Sequence, residues 1–253
     1  MLSMIANYID GKHLKGAELE TYVDSVLKDS QVQQVIEKIQ EIVPLSVNEL
    51  EVNKAYIFDT ALSLEGKREI FSSSILSLEN SEKTVSLLYN EFPEGTEDNI
   101  FAQVYSNGKV HTITVKNGEI TENSTDGIVE FAGFDEGEVQ SEQNLPDNPA
   151  YEKGKFNYDS DLTAQGVFDF CLAGGYQHCG KGCGSFKGAI GGGGTPINAT
   201  DRCCRTHDKC YSSTRKNRCC DKDLINCIAG HKTAAATTIS YVFAGPALLC
   251  PFG

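Results

Sequence analysis

No cysteine occurs in the first 170 residues; all ten lie between Cys171 and Cys250. The front half is also short of basic side chains. Residues 1–150 carry 10 Lys and Arg against 27 Asp and Glu, a net of −17, whereas residues 151–253 carry 12 against 8, a net of +4. An acidic, cysteine-free front joined to a basic, cysteine-dense back predicts two units within the 253 residues. Residues 1–15 contain no apolar h-region, so no ordinary signal peptide is visible. Residues 1–160 also lack a nucleophilic serine elbow, a zinc-protease motif and a dinucleotide fingerprint, which leaves an inhibitory, chaperoning or interaction role for that part. The longest apolar stretch, residues 239–250, includes Ser240, Gly245 and Pro246 and is too short to span a bilayer.

What is present begins with cysteine. Ten of them in so short a segment is the density of a disulfide framework, which persists in oxidising compartments. A secreted protein is expected, although the export route is open. The chain leaves by an unconventional route, an upstream signal is missing from this sequence, or the front half serves as an export or pro-segment.

In the front half, Val32, Val35, Ile36, Ile39 and Ile42 recur at helical spacing and predict an amphipathic helix over 31–43. Short β-prone runs follow at 56–58, 69–76 and 84–89. Two more, 101–105 and 110–115, flank Ser106-Asn107-Gly108-Lys109, and Asn-Gly is a strong hairpin signal. The expected organisation is an α+β domain over 1–134, a polar linker over 135–161 and a small all-α, disulfide-rich domain over 162–253. His13 and His111 show no visible partners and read as surface or structural histidines. Asn123-Ser124-Thr125 and Asn198-Ala199-Thr200 fit a glycosylation triplet that often arises by chance.

The back half predicts a short helix over 162–172, a glycine-rich loop over 174–194, and helices over 200–211 and 219–231. Thr200 is the expected N-cap, with Asp201 in the first turn where the helix dipole favours an acid. Cys203 and Cys210 are seven residues apart, as are Cys220 and Cys227, so each pair lies on one helix face. Antiparallel packing sets Cys203 against Cys227 and Cys210 against Cys220 together, and the eight residues between Cys210 and Cys219 are too few for a parallel crossover. Each bridge contributes about 3 kcal/mol on the chain-entropy account. His207 shares a stripe with Cys203 and Tyr211, and the bridges bring Asp221 opposite. A histidine held by a carboxylate keeps one ring nitrogen as donor and frees the other as a base. Asp208 faces the glycine loop, whose carbonyls, with a carboxylate, suit a hard cation such as calcium.

Residues 201–211, Asp-Arg-Cys-Cys-Arg-Thr-His-Asp-Lys-Cys-Tyr, resemble the active-site helix of secreted phospholipase A2, D-x-C-C-x-x-H-D-x-C-Y. His178-Cys179-Gly180-Lys181-Gly182 looks like that family's calcium loop, and Gly194-Thr195-Pro196-Ile197-Asn198 like the segment leading into the helix. Cys220-Asp221 followed by Cys227 matches the next helix. The resemblance covers about residues 163–232. It implies calcium-dependent hydrolysis of the sn-2 ester of phospholipids, with His207 activating water, Asp221 orienting it, Tyr211 bonded to Asp221 and the Gly180 amide at the oxyanion. It further implies calcium held by both carboxylate oxygens of Asp208 and the carbonyls of His178, Gly180 and Gly182. The implied bridges are Cys179–Cys204, Cys203–Cys227 and Cys210–Cys220; the resemblance leaves Cys171, Cys183, Cys219 and Cys250 without assigned partners, and Cys171–Cys183 with Cys219–Cys250 is the pairing expected among the three that four cysteines allow.

Several features depart from the family pattern. The loop between Gly182 and Gly194 is about nine residues longer than usual and could displace the third carbonyl ligand. His178 stands where an aromatic is usual, Asn198 replaces a common aspartate, and the link between the helices is too short for the animal enzymes' β-wing. The chain therefore looks like a compact, microbial-type form. Cysteine spacing does not fit a zinc site, since paired C-x2-C and H-x3-H are absent. Gly175-x4-Gly180-Lys181 is a near miss to a phosphate loop, with Gly182 where Ser or Thr is needed. His231 reads as structural. The competing function is a non-catalytic toxin or antimicrobial membrane module on the same fold. Lys181, Lys187, Arg202, Arg205, Lys209, Arg215, Lys216 and Arg218 predict a preference for anionic phospholipid surfaces, masked within the chain by the acidic front half, and no nucleic-acid partner.

Overall fold

The computed structural model describes residues 4–64, 67–126, 141–143, 145–155, 171–172, 174–180, 182–184, 189, 191–247 and 250. About half of the expected linker and nearly all of the expected helix over 162–172 lie outside these residues. The described chain is an antiparallel sheet with helices, followed by disulfide-linked helices. Strand β1 (Met4–His13) is followed by α1 (Gly16–Leu27), α2 (Ser30–Ile42), β2 (Leu50–Leu64), β3 (Lys67–Asn80), β4 (Val85–Glu91), β5 (Asn99–Ser106), β6 (Lys109–Lys116) and β7 (Glu119–Asp126). The strands are neighbours in sequence order, a seven-stranded meander.

Helix α2 is where the apolar period placed it. Its stripe of Val32, Val35, Ile36 and Ile39 is buried, the helix lies against β5 and β6, and the Asp29 side chain caps it by accepting the Gln31 and Val32 N–H groups. The β5–β6 hairpin turns at Asn107 and Gly108, with φ of 53° and 74°, the left-handed pair that a two-residue turn requires. A second Asn-Gly turn, at 117–118, carries β7, which the sequence analysis passed over. Seven of its eight residues are exposed polar ones, so the strand has no apolar alternation and is held by its ladder to β6. Helix α1 was also missed: Val26 is its one buried residue, too little to make a periodic signal. His111 does have a partner: its Nδ1 lies 2.9 Å from Glu122 Oε1 on β7, and the His13 ring packs against Tyr56.

The chain divides into two compact units. One comprises His13–Ile57 and Ser73–Gly133, with α1, α2 and most of the sheet. The other comprises Met1–Lys12, Phe58–Ser72 and Phe134–Gly253, so the bounds fall inside β2 and β3. In this second unit, α3 (Ala199–Tyr211), α4 (Asn217–Ile228) and α5 (Ala234–Ala247) pack in succession, α3 on α4 and α4 on α5. Their core includes Leu224, Ile228 and Ile239 together with Leu62 and Phe71, the latter stacked on Tyr241 at 4.3 Å.

The N-cap of α3 is Asn198, not Thr200. The Asn198 side chain accepts the Asp201 N–H at 2.8 Å, while Thr200 is buried two residues further on and its Oγ1 lies 2.9 Å from His231 Nδ1. A buried Asn198, whose amide donates to Ser141 and Tyr176, is no glycan acceptor. Helix α4 stops at Ile228, where the His231 N–H donates to its carbonyl. The apolar tail is a helix, α5, and among the described residues no helix is long and apolar enough to cross a membrane.

Candidate active site

Five disulfides organise the second unit: Cys171–Cys183, Cys179–Cys204, Cys203–Cys227, Cys210–Cys220 and Cys219–Cys250. Two of them clamp α3 to α4 through cysteines one face apart, and the link between these helices is only residues 212–216. This clamp aligns the polar stripe. His207 Nε2 lies 2.9 Å from Asp221 Oδ1, and the Tyr211 hydroxyl donates to the same oxygen at 2.6 Å. A carboxylate accepts only, so Nε2 carries the proton and Nδ1 presents a lone pair. Burial, reinforced by the bond to Asp221 and its charge, pushes the Tyr211 phenol above its ordinary pKa, which keeps it a donor.

The imidazole is held on two sides. The Tyr211 ring lies 4.3 Å from that of His207, and the Phe243 ring of α5 meets it edge-on at 5.5 Å. Phe243 belongs to the site although no sequence pattern singled it out; the apolar tail gave no period by which to place one ring.

The loop at residues 176–180 is anchored to α3 by Asp201. This fully buried carboxylate accepts the N–H groups of Gln177 and His178, at 3.0 and 2.8 Å, and of Ile197 at 3.1 Å. Helix polarity alone had accounted for an acid at this position; its larger task is to tie three backbone amides together. The end of the glycine segment, residues 191–194, folds back on residues 177 and 182. Gly193 N–H donates to the Gln177 carbonyl at 2.8 Å, and a Cβ on Gly192 would sit 2.2 Å from that same oxygen. Gly182's carbonyl accepts the Gly191 N–H at 3.1 Å and Gly180's accepts the Cys183 N–H at 3.3 Å.

Asp208 faces this loop. Its Oδ2 is buried without a hydrogen-bond partner, and His178 Nδ1, likewise buried and unpartnered, lies 3.6 Å away. Burial, with Asp201 nearby, pushes the Asp208 carboxyl up to about 7. Among the described residues no group of three or more His, Cys, Asp or Glu side chains could hold a metal ion, so a cation here would depend on Asp208 and loop oxygens. The orphaned Oδ2 fits that requirement, since a buried anionic oxygen lacks a counter-charge.

No family profile and no solved structure matches the chain. Curated relatives do. The chain is 45% identical over 62 residues to the acidic phospholipase A2 β-bungarotoxin A6 chain of Bungarus multicinctus, covering 24% of this chain and 43% of the relative. It is 39% identical over 70 residues to the basic phospholipase A2 β-bungarotoxin A-AL4 chain of the same species, covering 28% and 46%. With a phospholipase A2 of Oryctolagus cuniculus it shares 49% over 40 residues, covering 16% and 27%. The matched part thus spans less than half the length of these relatives. Over about a quarter of its residues the chain is a partial homologue of phospholipases A2, and its five disulfides fit a small domain of that kind.

Proposed function

We propose that the second unit hydrolyses the sn-2 acyl ester of phospholipids in a calcium-dependent reaction. The observation that carries the reading is the alignment of His207, Asp221 and Tyr211 beside a buried, unpartnered carboxylate oxygen of Asp208. His207 Nδ1 takes a proton from water, and the water oxygen attacks the ester carbonyl carbon. Asp221 holds the ring so that Nδ1 faces outward and stabilises the imidazolium that forms. The Gly180 N–H would donate to the oxyanion. Collapse of the tetrahedral species breaks the bond to the glycerol oxygen, which takes the proton back from His207 and leaves a free fatty acid and a lysophospholipid.

Asp208 would hold calcium with the carbonyl oxygens of His178, Gly180 and Gly182; the bonds that two of these already accept use one lone pair each and leave the second. When bound, the ion supplies polarisation of the ester carbonyl. An anionic lipid surface is the proposed partner and an oxidising, extracellular compartment the proposed location, with the disulfides in support. A pro-segment role for the front half belongs to the same proposal.

The test is fatty acid release from sn-2-labelled phospholipid, with calcium and then with chelator. Release should need calcium, and His207→Ala should lower it by about 10²–10⁴-fold, the usual contribution of a positioned acid–base group. Release that survives chelation would refute the mechanism. Membrane permeabilisation by the His207→Ala variant, undiminished, would instead support the toxin reading.

A further inference from the structure

The histidine beside Asp208 has more to offer than its backbone. His178 Nε2 lies 2.9 Å from the carbonyl oxygen of Gly194. A carbonyl only accepts, so Nε2 bears a proton, and the ring in its neutral form turns the lone pair of Nδ1 toward Asp208 Oδ2. The imidazole is fully buried and its N–H is fixed, so the ring cannot turn away without losing that bond. Two acceptor atoms thus meet across 3.6 Å, each buried and each without a hydrogen-bond partner. Oδ2 and Nδ1 are too far apart to share a hydrogen bond. They are not too far apart to share an ion. Zinc bonds to nitrogen and oxygen are about 2.1 Å long, which sets two ligands about 3.4 Å apart at the tetrahedral angle; 3.6 Å opens that angle to about 120°.

We propose that His178 Nδ1 and Asp208 Oδ2 form a nitrogen–oxygen chelate for a first-row transition dication, zinc foremost, at the carboxylate that would otherwise take calcium. The second donor decides the preference. Calcium seeks oxygen ligands and gains little from an imidazole, whereas zinc binds imidazole well. The ring N–H bonded to a backbone carbonyl is the outer-sphere support that metal-bound histidines ordinarily have. Loop carbonyls or water complete the coordination, which is why two side chains suffice. Because Asp208 cannot serve both ions at once, zinc excludes calcium and silences the hydrolase. This last consequence rests on the proposed function; the binding itself does not.

The test is zinc titration of the chelator-treated full chain by calorimetry, beside the His178→Phe variant. Wild type should bind one zinc with saturation. The variant should bind it more than about tenfold more weakly, since even an outer-sphere partner of a metal ligand contributes that much. Equal zinc affinity in both chains overturns the proposal. X-ray absorption of zinc-loaded wild type needs no variant: imidazole and oxygen scattering without sulfur is expected, and an oxygen-only shell overturns it. Fatty acid release measured on the same samples separates the two ideas. Calcium-dependent release without zinc binding removes the chelate alone; zinc binding without release removes the hydrolase alone.

Discussion

The two units solve the stability problem by different means. The sheet unit has no cysteine and rests on a helix stripe, Val32, Val35, Ile36 and Ile39, set against strands with buried apolar faces such as Leu87, Ile100 and Ile113. The helical unit has a modest apolar core and five covalent ties. Burial alone is adequate where strands and a helix cover one another. Where polar side chains must stand side by side within short helices, cross-links supply the missing constraint.

Reduction should therefore separate the two most sharply. Each native bridge is worth about 2–5 kcal/mol, and reductant should strip amide-exchange protection from residues 199–247 while leaving residues 85–116 protected. Equal loss in both stretches would break the distinction. Next in size is Phe71→Ala. Although it lies on β3, Phe71 packs on Tyr241 within the helical unit's core, and its removal should cost about 3–5 kcal/mol. Exchange should rise first in α3–α5 rather than in β4–β6. A fragment beginning at residue 155 lacks Leu62 and Phe71 and should melt well below the full chain for the same reason.

Acid should act on the units with opposite sign. The Asp208 carboxyl stands near 7 when folded, against about 4 in an unfolded chain. Between those values the folded, metal-free protein binds the extra proton, so its stability falls as pH rises from 4 to 7 and levels off above. Melting temperatures across that range should show the slope in chelator, and Asp208→Asn or saturating calcium should flatten it. In the sheet unit, Glu122 is held below its ordinary pKa, first by its hydrogen bond to His111 and then by Lys38. Its contribution is present at neutral pH and is lost as pH falls through the carboxylate range. The pair is largely solvated, so Glu122→Gln should cost less than about 1 kcal/mol, with the difference from wild type vanishing in acid.

How much of this was legible follows from the kind of signal each element leaves. Cysteines seven apart announced two faces that could pair one way, and Cys203–Cys227 and Cys210–Cys220 are bridges in the structure. The Asn107-Gly108 turn and the α2 stripe are local and were legible for the same reason. Strand β7 has no hydrophobic pattern, and α1 has almost none, so both exist through their neighbours. Phe243 reaches His207, and Phe71 reaches Tyr241, across chain separations that no periodicity encodes. The Asn198 cap was missed because Thr200 is also a good capping residue, and only the inward pull of His231 shows why it is not used.

The spacing of the five bridges has one more consequence. Their spans, 171–183, 179–204, 203–227, 210–220 and 219–250, overlap like links in a chain, so every peptide bond from Cys171 to Cys250 lies inside at least one closed ring. A protease that nicks the backbone once anywhere in that interval sheds nothing; both pieces stay attached until a reductant arrives.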